Sequence, residues 1–136
     1  LRLGYFASDT FSSVSAISAP ILSKDENQQA RNSLLIKLFF PLKRIFGPNF
    51  SESYIDESIE KVWTNADDKD LRQVRLQLIW GDEDRDQIVN SNQCFHEKLT
   101  SKNINHDYFV YKGGHKWRFW IPNFNRVINF LVDNPS

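Results

Sequence analysis

Hydrophobic and polar positions along the chain alternate between short apolar runs and longer amphipathic stretches. "SSVSAISAP" (Ser12 to Pro20) is small and β-branched and is closed by Pro20, the pattern of a buried parallel strand. "VRLQLIWG" (Val74 to Gly81) and "HDYFVYKGG" (His106 to Gly114) read as two further strands. Between them, "DQIVNSNQCFHEKLTSKN" predicts a helix with Ile88, Cys94 or Phe95, and Leu99 on one face. "WRFWIPNFNRVINFLVDN" predicts a closing helix with Phe124, Val127, Ile128 and Leu131 inward. In the first half, "ARNSLLIKLFFPLKRIFG" is amphipathic, kinked or ended by Pro41 and stopped by Gly47 and Pro48. Ser53 to Asn65 predict one more helix, with Ile55, Ile59 and Val62 on its stripe.

Strands separated by helical crossovers of this length make an α/β fold, a parallel sheet with helices on both faces. Ligands of such sheets bind beyond the carboxyl ends of the strands. Asp84, in "GDEDRD", follows the second strand, and His115, in "GGHKW", follows the third. The two therefore project from one edge of the sheet. An imidazole there can take a proton from a weak nucleophile and return it to a leaving group, and a carboxylate on its other nitrogen holds the tautomer. Gly113 and Gly114 permit a sharp bend, and Trp117 and Trp120 are placed to wall the ring from water. The plainer alternative is an ordinary loop histidine beside a helix-capping aspartate.

Composition narrows the classes. A chain of 136 residues suits a single domain, 1–136, with a real core. Seventeen basic residues balance 17 acidic ones, which leaves no nucleic-acid footprint. No apolar run approaches the roughly 20 residues that span a bilayer, so no membrane partner is expected. Cys94, the one cysteine, cannot form an internal disulfide. No feature decides the compartment, the cytoplasm being slightly favoured.

Metal chemistry finds no motif, and neither metal nor cofactor is expected. Asp82, Asp84 and Asp86 begin like a calcium loop, but Gln87 and Gln93 stand where glycine and glutamate are required. His96, His106 and His115 are too widely spaced for a local metal motif, and His96 is expected on a helix surface. The chain starts at Leu1, holds no methionine, and opens with "LRLGYFA", which reads as a helix already under way without an N-cap. Residues upstream are therefore expected to be missing.

At this point the residues resemble a family. "GDED", an Asn-rich helix and then "GGHKWRFW" are similar to the esterase D-like α/β-hydrolases, whose relatives include S-formylglutathione hydrolases, enterochelin esterases and tributyrin esterases. "LRLGYFASDTFSSVSAISAP" resembles the segment that follows their nucleophile elbow, with Ser8 to Phe11 as the turn and Ser18–Ala19 at the strand end. The likeness is weakest from about Lys24 to Asp68, where the fold often carries a cap; a cap-like helical insertion at about 24–68 is the expectation.

The resemblance implies a Ser-Asp-His triad of a serine carboxylesterase acting on small acyl esters or thioesters, with Asp84 as acid and His115 as base. It implies no cofactor. None of Gly4, Gly47, Gly81, Gly113 and Gly114 brackets a serine in a G-x-S-x-G turn, and Cys94 is a poor nucleophile in mid-helix. The serine would then lie upstream, and this chain would need that N-terminal part of its own domain.

Departures bear on the substrate. Arg85 replaces the usual apolar residue after the acid, Lys116 follows the histidine in place of an acidic residue, and Ala19 replaces a glycine. Arg85 reads either as a contact for an anionic substrate or as a solvent partner of Asp82 or Asp86. Phe39, Phe40 and Phe46 fit an acyl pocket, a homodimer face, or core beneath the cap. A different class also remains: a non-catalytic α/β-hydrolase-like binding or assembly module.

Overall fold

The computed structural model describes residues 10–21 and 72–133. The expected helices at the N-terminus, between Ala30 and Gly47 and between Ser53 and Asn65, the cap-like insertion, and Phe39, Phe40 and Phe46 all lie outside the described residues.

Three parallel strands form one sheet in the order β1 (Ser13–Ile17), β2 (Arg75–Gly81), β3 (Asp107–Tyr111). Ser13 pairs with Arg75 and Ile17 with Ile79, while Gln77 pairs with Asp107 and Gly81 with Tyr111. Two 16-residue helices follow β2 and β3: α1 (Asp86–Ser101) and α2 (Trp117–Val132). Each element falls inside the stretch that the apolar pattern assigns to it. Neither helix is long and apolar enough to cross a membrane, nor is any other among the described residues.

Side chains alternate across β2, and among the described residues each face meets one helix. Leu76, Leu78 and Trp80 join Ala16 and Ile21 on one side, where Phe95 and Leu99 of α1 and then Ile104 close the core. Phe95, not Cys94, takes the inward position; Cys94 is exposed. Two polar residues of α1 tie it to the end of β1. Asn92, fully buried, donates from Nδ2 to the Ala19 carbonyl at 2.8 Å, and Ser91 Oγ accepts the Ile21 N–H at 3.3 Å.

The opposite face carries more polarity. Gln77 is buried and takes a 2.9 Å hydrogen bond from Ser15 Oγ. There α2 is anchored by guanidinium groups on rings: Arg75 over Phe130 at 4.6 Å, and Arg126 over Phe109 at 4.5 Å. Arg75 also donates to the Asp133 carbonyl just past the helix.

The expected inward face of α2 is corrected by this packing. Phe119, Asn123 and Phe130 are its buried residues; of the four expected inward, Val127 is half-buried, whereas Phe124, Ile128 and Leu131 are 43%, 53% and 47% exposed. The sequence is apolar on more than one stripe, so periodicity leaves the rotation of the helix open. The short loop before it decides. Phe119 seats against Gly113, where even a methyl group would come within 2.9 Å of its ring, and one turn on Asn123 donates to the Phe119 carbonyl at 2.8 Å.

Candidate active site

Beyond the carboxyl ends of β2 and β3 the two strands stay zipped together. The Asp82 N–H donates to the Tyr111 carbonyl at 3.0 Å, and the Glu83 N–H to the Gly113 carbonyl at 2.9 Å. Asp82 Oδ1 accepts the Gly113 N–H in return, at 3.1 Å. This close approach needs glycines. A Cβ on Gly81 would overlap the Gly113 carbonyl, and one on Gly114 would lie 2.6 Å from the Glu83 carbonyl oxygen. Gly113 also holds φ at +143°, a conformation that costs other residues strain.

The zipped loops deliver Asp84 and His115 to each other. The Asp84 side chain is fully buried and that of His115 is 33% exposed. Nδ1 of His115 lies 3.4 Å from Oδ1 of Asp84. That is longer than an ordinary N–H···O bond of about 2.7–3.2 Å, and Nδ1 is buried without another partner. Asp84 is not a helix cap: Oδ1 accepts the N–H of the adjacent Arg85 at 2.8 Å, and Arg85 itself occupies the N-cap position of α1. Oδ2 is buried without a hydrogen-bond partner. A buried carboxylate with spare acceptor capacity beside an unpaired imidazole nitrogen is the arrangement that holds one tautomer of the ring.

The other candidates fall unequally around this pair. Trp120 meets the imidazole edge-on, ring centroids 4.8 Å apart. Trp117 contacts Trp120 at 5.2 Å and is 66% exposed, so it reaches His115 only through its neighbour. Arg85 is exposed, and no ion pair to Asp82 or Asp86 forms among the described residues; the pair at this edge is Lys112 with Glu83, at 3.9 Å. Instead, Arg85 lines a cavity of about 510 Å³ with Lys112, Lys116, Arg118, Glu83 and His115. Of its other basic residues, Lys116 stands out in the sequence as a departure from the family pattern, whereas Lys112 and Arg118 do not. Their only signal was the local run of Lys and Arg around His115.

A second cluster was also missed. His96 and His106 are ten positions apart, but Nδ1 of one lies 2.7 Å from Nε2 of the other. Burial, and next the neighbouring His106, lower the pKa of His96, against a smaller opposing effect of Glu97.

Solved structures share this fold over nearly the whole chain. A ferulic acid esterase is 25% identical, with a TM-score of 0.68, over 96% of this chain and 45% of its own. The substrate-bound fluorophosphonate-binding serine hydrolase F of Staphylococcus aureus is 19% identical with a TM-score of 0.72, over 98% of this chain and 49% of its own. S-formylglutathione hydrolase from Staphylococcus aureus, as apoenzyme, is 18% identical with a TM-score of 0.68, over 97% and 45%. This chain has the fold of the C-terminal portion of an α/β-hydrolase. It spans about half the length of the solved structures it matches. No protein-family model and no curated protein matches the chain. The resemblance to esterase D-like proteins therefore holds in the fold, through neighbours that are esterases and serine hydrolases.

Proposed function

We propose that the chain supplies the acid and the base of a serine carboxylesterase-type hydrolase acting on small acyl esters or thioesters. The observation that carries this reading is the buried Asp84 carboxylate facing His115 Nδ1 at the carboxyl edge of a parallel sheet. The esterase and serine-hydrolase neighbours support it.

In this reading a serine upstream of Leu1 provides the nucleophile. His115 Nε2 takes the hydroxyl proton as the Ser O–C bond forms, then passes it to the leaving alkoxide or thiolate as the substrate bond breaks. Water repeats the sequence on the acyl-enzyme. Asp84 stabilises the imidazolium that appears in each half, and the backbone donors for the oxyanion also lie upstream. Trp120 shields the imidazole edge, which strengthens its attraction to Asp84 by excluding water. Arg85 and Trp117 border the route by which substrate approaches. No metal or organic cofactor is needed.

The test is the intact mass of the protein, in the full length its source makes, before and after a fluorophosphonate probe. One added probe on a serine upstream of Leu1, together with hydrolysis of short-chain p-nitrophenyl esters, is the expected result. A serine-free upstream segment, or an unlabelled protein of larger mass, would instead favour a non-catalytic module.

A further inference from the structure

His96 of α1 and His106, one residue before β3, meet on the face of the sheet that packs against α1, in a cleft of about 560 Å³. The cleft shares no lining residue with the cavity at His115. Its geometry fixes the proton positions of the neutral pair. His106 Nδ1 lies 2.8 Å from the Ile104 carbonyl oxygen, which only accepts, so that nitrogen carries the proton and Nε2 is bare. His96 Nδ1 then donates to that bare nitrogen across 2.7 Å. Tyr108 backs both rings, with centroids 3.8 Å from His96 and 6.2 Å from His106.

We propose that this pair is a binding site for one divalent transition-metal ion of the Cu²⁺, Ni²⁺ and Zn²⁺ class, chelated by His96 Nδ1 and His106 Nε2 and completed by water. Two imidazole nitrogens bound to one such ion at about 2.0–2.1 Å stand roughly 3 Å apart. With ring centroids 5.0 Å apart the two nitrogens now point at each other, so the pair reaches that geometry by a small opening and a turn of each ring toward the ion. The cost is one hydrogen bond. The proton on His96 Nδ1 is lost to solvent and Nε2 gains one, so the ring stays neutral and its ligating nitrogen becomes free. His106 is already held in the ligating tautomer by the Ile104 carbonyl, the kind of outer partner that orients metal-bound histidines.

The rest of the cleft decides which ions fit. Thr100, Asn103, Ile104, Asn105 and Tyr108 complete its lining, with no carboxylate and no thiolate. Calcium and magnesium require oxygen-rich, charged cages, whereas neutral imidazole suits copper, nickel and zinc. Among the described residues no third His, Cys, Asp or Glu joins the pair, so the remaining positions belong to water and the ion exchanges readily. This inference is independent of the hydrolase reading.

The decisive experiment titrates the untagged, EDTA-stripped protein, in the full length its source makes, with NiCl₂ by calorimetry. One ion per chain is expected, and His96→Gln and His106→Gln should each weaken binding at least about tenfold, while His115→Gln leaves it unchanged. A second readout needs no variant. Trace Cu²⁺ should broaden the NMR signals of His96, His106 and Tyr108 before any others. The proposal is overturned by an absence of heat and of selective broadening at millimolar ion. Binding that survives both substitutions, or that depends on His115 or Cys94, overturns it equally.

Discussion

Gly81 stands at the junction of the two loops, and a single methyl group there has nowhere to go. It would collide with the Gly113 carbonyl, which is backbone and bonded to the Glu83 N–H, so relief means separating the loops. Gly81→Ala should therefore destabilise the protein by more than about 2 kcal/mol, read by urea denaturation. A stability within experimental error of wild type would show that the loops are not held together as described. Asp84 makes the complementary case, in which shape survives and chemistry does not. Asn at position 84 keeps the volume and one acceptor but removes the charge that favours the imidazolium, and its amide admits the wrong ring tautomer. Asp84→Asn should cut ester hydrolysis by the full-length protein about 10³- to 10⁴-fold, with little change in thermal unfolding. Activity within tenfold of wild type would sink the triad assignment.

At the scale of elements, α2 tests the packing. Phe130 is 7% exposed and lies under the Arg75 guanidinium, while Ile128 faces outward. Phe130→Ala should cost about 3 kcal/mol or more, and Ile128→Ala well under half of that, both measured by denaturant unfolding. Equal costs would restore the inward stripe that periodicity suggested. The same helix shows why the sequence was readable only in part. Short apolar runs such as "LIW" at the end of β2 mark strands because a parallel sheet buries side chains on both of its faces. An element apolar on two stripes carries no such mark, and α2 is rotated by a contact outside itself, Phe119 on Gly113. The candidate pair was legible for a local reason: Asp84 and His115 each sit just past a strand end, and parallel strands bring such ends to one edge. His96 and His106 were not legible as a pair. Their meeting depends on how the last turns of α1 lie against the start of β3, a tertiary relation that spacing along the chain does not encode. The 33% exposed imidazole and the cavity lined by Arg85, Lys116 and Arg118 likewise depend on loop geometry.

The whole molecule adds a question of surfaces. Among the described residues the sheet has three strands, so β1 pairs on one side only, and α2 presents Ile121, Phe124, Ile128, Leu131 and Val132 as a continuous apolar stripe. An unpaired strand edge beside exposed apolar surface is a template for association. The solved structures of similar fold are about twice as long, and in the reading proposed above the additional chain contains the nucleophile. The 136-residue chain prepared alone should then self-associate with rising concentration, and light scattering measures this directly. Ile128→Glu with Leu131→Glu should lower the association while leaving helix content unchanged by circular dichroism, because both positions face away from the sheet. Co-expression with the upstream part should have the same effect and should also restore fluorophosphonate labelling. That second result separates a surface that completes a catalytic domain from one that is merely adhesive. A chain that stays monomeric at high concentration would instead mean that its apolar stripe and strand edge are already covered, and the need for an upstream half would fall with it.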